Sequence, residues 1–337
     1  MNTADSRPVV AITIGDAAGI GPEIVVKSLL SRHVYELARP LVIGALPAMR
    51  QTLALLKTRV ALKQIGSASD ASGEFGTIDV LDLANLSVSD LHYGRVSASC
   101  GKAAMEFIQV AAKMAMNHEA RAIVTAPINK EATLLGGYED VGHLEFLARL
   151  TGSSEYATML ISGVLRAVHL TTHHPLIEAC RLVTKDRILR RLKLTDNSFK
   201  QWGFDQPRIG VAALNPHGGE AGLMGKEEID EIAPAVKEAA SLGIDARGPF
   251  PADSIYNRAI AGEFDAILAM YHDQGHIPIK VFGFADSVSV ALGLPFVRTS
   301  VDHGTAFDIA GKGVADARGM EEAIKVAVSL SERRRLV

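Results

Sequence analysis

Short, continuously apolar runs alternate along this chain with longer stretches in which apolar residues recur every three or four positions. The runs at 8–14, 41–44, 78–81, 122–125, 167–171, 209–213 and 266–270 lack the alternation of a half-solvated strand, so they predict strands buried on both faces. Between them, 22–30, 99–117, 184–194 and 226–241 predict helices, the first opened by Gly21 and Pro22, where a proline forfeits no helical hydrogen bond. Strands and helices in alternation predict an α/β fold: mostly parallel sheet with helices covering both faces. The stretch GSASDASGEFG at 66–76 predicts a polar surface loop. No repeat or low-complexity linker divides the chain, so two domains would have to be tightly joined.

Length and composition narrow this picture. The 337 residues suffice for one large or two ordinary domains, at roughly 100–200 residues each. With 38 acidic and 35 basic side chains the net charge is −3, which offers no field for a nucleic-acid backbone. The lone Trp202 and an aromatic content of 5% also count against a base-stacking surface. Cys100 and Cys180 are too few for a disulfide framework and predict a reducing, cytoplasmic compartment. The opening MNTADSRPVV runs into a strand without a leader pattern, and no apolar run reaches the roughly 18–20 residues a membrane span needs. A soluble protein is expected.

In open α/β sheets ligands bind beyond the carboxyl ends of the strands, and here those ends are polar. His173, His217 and His272 each follow an apolar run. Three neutral imidazoles converging on one point would make a divalent-metal site; alternatively each caps a loop or bonds the backbone. Asp273 and Glu220 beside them read as ligands, as orienting groups or as solvated loop carboxylates. Gly15, Gly19 and Gly21 follow a strand and open a helix, but their G-x-x-x-G-x-G spacing is neither a dinucleotide fingerprint nor a phosphate loop. A turn needing positive φ explains them as well as ligand contact does. Lys280 and Arg298 sit beside apolar sequence, where either an anionic substrate or an internal carboxylate would balance the charge.

The segments ITIGDAAGIGPE (12–23), TAPINK (125–130), GHLEFLARLTG (142–152), TTHHPL (171–176), LNPHGGE (214–220), MYHDQGHIPIK (270–280) and LGLPFVRTSVDHGTAFDIAGKG (292–313) resemble, in order and nearly end to end, the 4-hydroxythreonine-4-phosphate dehydrogenase family of pyridoxal phosphate biosynthesis and its paralogues. The last segment is also similar to the nucleotide loop of isopropylmalate and isocitrate dehydrogenases. The resemblance implies their α/β/α, non-Rossmann fold, with a discontinuous NAD-binding domain at 1–130 plus 280–337, a metal, substrate and dimerisation domain at 131–279, and an active site in the cleft between them. It implies that His173, His217 and His272 ligate one divalent metal per subunit, zinc foremost, with cobalt, nickel or magnesium as alternatives, and that a homodimer shares the site. His143, Lys280 and Arg298 match substrate-binding positions. His303, Gly304, Thr305, Ala306 and Asp308 match the loop for NAD or NADP. Lys280, Asp273 and Asp253 are the acid–base and orienting candidates. Leu144 and Ser289 replace a threonine and an asparagine that contact substrate in the family.

The implied reaction is oxidation of a secondary alcohol β to a carboxylate in a small anionic hydroxy acid, with decarboxylation. The implied substrate is 4-(phosphooxy)-threonine. A 4-phospho sugar acid or a terephthalate-type carboxylated dihydrodiol is the alternative, and a phosphate acyltransferase a more distant one.

Overall fold

The apolar runs fold as strands within two residues of their expected ends. The computed structural model describes residues 5–140 and 142–334. The chain begins with β1 (Val9–Thr13), α1 (Gly21–Ser28), α2 (Arg32–Leu37), β2 (Arg39–Gly44), α3 (Leu46–Leu56), β3 (Ala61–Gln64), β4 (Thr77–Asp82), α4 (Ala98–Met116), β5 (Ala122–Thr125), α5 (Lys130–Leu135) and α6 (His143–Thr151). It continues through β6 (Ala157–Ser162), β7 (Leu165–His169), α7 (Leu176–Arg181), α8 (Lys185–Gln201), β8 (Ile209–Ala212), α9 (Ala233–Ser241), β9 (Ala246–Phe250), α10 (Ala252–Ile260), β10 (Ala266–Ala269), α11 (His272–Phe282) and β11 (Val288–Leu292), and ends with β12 (Val297–Val301) and α12 (Arg318–Ser331).

Two units result. Among the described residues, the first comprises 5–140, 142–154 and Leu294–Ser331, the second Glu155–Gly293 with 332–334. In the first the strand order is β3-β4-β2-β1-β5-β12, and every pairing is parallel. The central strands are buried throughout, as continuous apolar runs require. In the second, β7, β10, β8 and β9 are parallel neighbours, and β6 pairs antiparallel with both β7 and β11.

The unit boundaries differ from the expected breaks after 130 and 279. Residues 131–154 stay with the first unit because α5 seats against α4 so closely that a Cβ on Gly101 would stand 2.0 Å from the Ala132 carbonyl oxygen. Residues 280–293 stay with the second. There Ile279 of α11 is buried with Leu160, Leu165 and Ile267, and β11 pairs with β6. The helix expected at 226–241 is also interrupted: Glu228–Ile232 forms a wide π-type turn before α9, where Pro234 has no N–H to continue the ladder. Among the described residues no helix is long and apolar enough to cross a membrane.

Candidate active site

The parallel strands β7, β10, β8 and β9 of the second unit end along one edge, and each exit carries a side chain with chemistry. His173 follows β7, His272 opens α11 after β10, His217 follows β8, and Asp253 lies in the first turn of α10 after β9. Buried polar groups fix these exits. Gln274 accepts the Met270 N–H and donates Nε2 to the Ala213 carbonyl, both at 2.7 Å, tying the ends of β10 and β8 together. Buried Glu228 accepts the Leu214 and Asn215 N–H groups at 2.8 Å and Asn215 Nδ2 at 2.9 Å. The following run, His217 to Ala221, is left-handed at every residue, a conformation that costs the non-glycines energy and holds His217 out from the strand.

The rings of His173 and His272 lie 6.1 Å apart, centroid to centroid. His272 Nδ1 pairs with Asp273 Oδ1 at 2.6 Å, and His217 Nδ1 with Glu220 Oε1 at 2.9 Å. When Nδ1–H donates to a carboxylate, Nε2 keeps its lone pair, the arrangement of a metal-ligating imidazole. Among the described residues, no group of three or more His, Cys, Asp or Glu side chains is brought together to hold a metal within one chain. His173 and His272 meet, and His217 is not gathered with them. Lys280 lies farther along α11, its Nζ 5.2 Å from the Phe284 ring. Ser289 is half-buried on β11, opposite Leu160. Asp253 is exposed.

Periodicity did not reveal two further histidines. His276, one helical turn after His272, stacks on it at 3.6 Å and 13° and donates Nδ1–H to its carbonyl at 3.1 Å. Buried His169 lies 4.5 Å beyond His276; burial first, then the neighbouring His276, hold its pKa down to about 3. A Cβ on Gly275 would stand 2.3 Å from His169 Nε2, so glycine is required where the helix passes the ring. The i, i+4 spacing of His272 and His276 was the available signal.

In the first unit, Arg298 on β12 is buried and donates Nε and Nη2 to Thr125 Oγ1 at 3.2 and 2.6 Å. Burial lowers its pKa to about 10, with Glu145 pulling the other way, so it stays cationic at neutral pH. His143, at the start of α6, has Nε2 3.2 Å from the Ala126 carbonyl. Burial, then the Arg298 charge, hold it well below the usual imidazole range. It is therefore neutral, with Nε2–H donating and Nδ1 left as an acceptor. Leu144 follows it, half-buried.

The loop after β12 is anchored at both ends. Thr305 accepts the Ile20 N–H at 3.0 Å. A Cβ on Gly19 would stand 2.9 Å from Thr305 Cβ, so this glycine permits close contact of the two loops. Buried Glu23 accepts the Ala315 N–H, and Lys27 Nζ donates to the Gly313 and Ala315 carbonyls. Between these anchors His303, Gly304 and Asp308 are exposed, Thr305 and Ala306 half-buried, and Ala306 is left-handed at φ 42°. Gly15, at φ 66°, and Gly21, whose Cβ would meet the Ile14 carbonyl at 2.1 Å, serve the turn itself.

Residues 36–327 match the family model described as pyridoxal phosphate biosynthetic protein PdxA. The chain is 45% identical over 332 residues to a D-threonate 4-phosphate dehydrogenase of Cupriavidus necator, covering 98% of this chain and 99% of that one. Among solved structures, a 4-hydroxythreonine-4-phosphate dehydrogenase from Burkholderia phymatum is 45% identical, covering 97% and 99% of the two chains at a TM-score of 0.87. That from Klebsiella pneumoniae is 40% identical, covering 98% and 99% at a TM-score of 0.92.

Proposed function

This chain belongs to the PdxA family of pyridoxal phosphate biosynthetic proteins, and from that premise we propose that it is an NAD(P)-dependent dehydrogenase acting on a 4-phosphorylated, four-carbon hydroxy acid. It oxidises the hydroxyl β to the carboxylate and releases that carboxylate as carbon dioxide. The substrates named for its relatives, 4-hydroxythreonine-4-phosphate and D-threonate 4-phosphate, differ only in the C2 substituent, amino against hydroxyl. Their shared carboxylate, β-hydroxyl and phosphate define the substrate class. From 4-(phosphooxy)-threonine the product is 3-amino-2-oxopropyl phosphate. Leu144 presents no polar group, and Ser289 offers a shorter one than asparagine, which favours D-threonate 4-phosphate as the second reading.

The observation that carries this proposal is the delivery of His173, His272 and His217 by adjoining parallel strands, with a carboxylate on Nδ1 of two of them. That donor chemistry fits a divalent ion, zinc before cobalt, nickel or magnesium, because neutral imidazole is a poorer partner for the oxygen-seeking magnesium. The three histidines would hold it across a homodimer, one of them coming from the neighbouring subunit. When bound, the metal supplies a Lewis acid for the substrate hydroxyl and the carbonyl formed from it. Asp273 orients His272. Arg298, cationic at neutral pH, anchors an anionic end of the substrate, and neutral His143 offers Nδ1 to a donor. Lys280 Nζ and the Asp253 carboxylate are the groups that hold or return protons. The exposed backbone at Gly304, with open space where a Cβ would stand, fits the approach of a nicotinamide dinucleotide to His303, Gly304, Thr305, Ala306 and Asp308.

A second copy is proposed to cover the apolar residues that α11 leaves in water. Ile277 and Val281, one turn apart, are 57% and 81% exposed, on the helix that begins with His272. The protein is proposed to work in the cytoplasm, without nucleic acid or membrane partners.

Absorbance of NADH or NADPH tests the reading with 4-(phosphooxy)-threonine, D-threonate 4-phosphate and a carboxylated dihydrodiol, before and after chelation and metal return. Turnover of a phosphorylated acid, lost on chelation and restored by zinc, is expected. Full turnover in thoroughly stripped protein would refute the metal assignment; reduction with the dihydrodiol alone would refute the substrate class.

A further inference from the structure

A cavity of about 200 Å³ opens in the second unit, lined by Glu155, Leu170, Arg187, Arg190 and Arg191. The arginines stand three and four residues apart on α8, a spacing that puts them on one face. Three guanidinium groups thus meet one carboxylate. Arg190 Nε lies 3.3 Å from Glu155 Oε1. Arg191 donates Nη1 to the Tyr156 carbonyl at 2.6 Å and Nη2 to the Leu170 carbonyl at 3.4 Å, while its Nε is buried without an acceptor among the described residues. Arg187 makes no hydrogen bond or ion pair among the described residues.

A buried donor without a partner and clustered like charges both oppose folding unless something compensates them. A tetrahedral oxyanion would do so, since its oxygens match the guanidinium fork and its charge offsets the excess. We propose that this cavity binds a small phosphate-class anion, either inorganic phosphate or the phosphate end of a phosphorylated metabolite. Its size excludes a dinucleotide, and its residues are separate from His143, Lys280 and Arg298. Burial lowers the pKa of Arg191 to about 10, against the pull of Glu155, and the neighbouring Arg187 and Arg190 lower it further.

The test is calorimetric titration of the full chain with inorganic phosphate at low salt, wild type against Arg187→Gln in the same buffer, so that uptake elsewhere cancels. Among the described residues Arg187 holds nothing, so the variant is expected to fold; Arg190→Gln, at a more exposed position, serves as a second variant. Arg181→Gln, whose arginine pairs with Glu178 outside the cavity, is the control. Loss of one charge-assisted donor should weaken phosphate binding by about tenfold in both cavity variants and leave the control unchanged. Kinetics separate the two sources of the anion. A raised KM for the phosphorylated substrate at constant kcat identifies the substrate's own phosphate, whereas unchanged kinetics with weakened phosphate binding identify a separate ligand. Equal phosphate affinity in wild type and cavity variants would overturn the proposal. So would unchanged phosphate uptake with a shift of the variants to a smaller species in light scattering, because the arginines would then meet acidic side chains of a second copy.

Discussion

Single side chains set the pH behaviour of this protein, and Asp16 is the clearest case. It is fully buried behind β1; one carboxylate oxygen accepts the Ala18 N–H at 2.9 Å and the other has no partner among the described residues. Burial pushes its pKa up to about 6, against the opposing pull of the Ala18 N–H. A carboxyl raised above its unfolded value of 3.8 holds its proton more tightly when folded, so its favourable contribution is complete below that value and is lost as the pH rises through about 6. Asp16→Asn keeps the acceptor and cannot ionise. Urea titrations should show the variant more stable than wild type at pH 8 by roughly 1–3 kcal/mol and level with it near pH 4; parallel stability curves at every pH would contradict this. Arg298→Lys should raise KM for the anionic substrate about tenfold or more, because an ammonium cannot reproduce the fork, and steady-state kinetics will measure it. The strand-end histidines and Arg298 were legible because apolar runs stop where they begin. Gln274, Glu228 and His169 were not: each is buried by satisfying backbone groups or a neighbouring ring, and such partners leave no trace in a hydropathy pattern.

At the scale of elements, the same limit explains which strands could be read. The runs flanking β1, β5 and β10 are continuous, whereas β12 reads Val-Arg-Thr-Ser-Val and looks like surface. It is buried throughout because Arg298 and Ser300 bond Thr125, and Thr299 bonds the Ala323 carbonyl. β3 is a mostly exposed edge strand, where a lysine and a glutamine face water and discourage pairing with another chain, and β9 carries a glycine and a proline. Helix contacts yield two predictions. Gly101→Ala forces a methyl into the Ala132 backbone and should lower unfolding free energy by about 1–3 kcal/mol in urea. Gly19→Ala presses on Thr305 instead, so its expected signature is a rise in KM for the proposed nicotinamide cofactor with a smaller change in kcat. An unaltered cofactor KM would detach the two loops from one another functionally.

For the molecule as a whole, the decisive quantity is how the three strand-end histidines are divided between chains. His173 and His272 lie together, while among the described residues no three such ligands gather with His217, which agrees with the proposal that the site is completed by association. His217→Ala and a His173→Ala, His272→Ala double variant should each be inactive. Refolded together in equal amounts, they should recover about a quarter of wild-type turnover, because half of the dimers are mixed and each contains one intact site. No recovery, with mixed dimers verified by mass spectrometry, would place all three histidines in one subunit's site. The path of the chain through its two units carries a further consequence, for synthesis. β12 lies against β5, and α12 packs on β12, so the first unit cannot close its sheet until the ribosome has passed Val301. The second unit has all its strands once Leu292 emerges. The portion translated first must therefore wait, partly open, while the portion translated later finishes around its own core, and a chaperone would meet the nascent protein chiefly at the uncovered flank of β5.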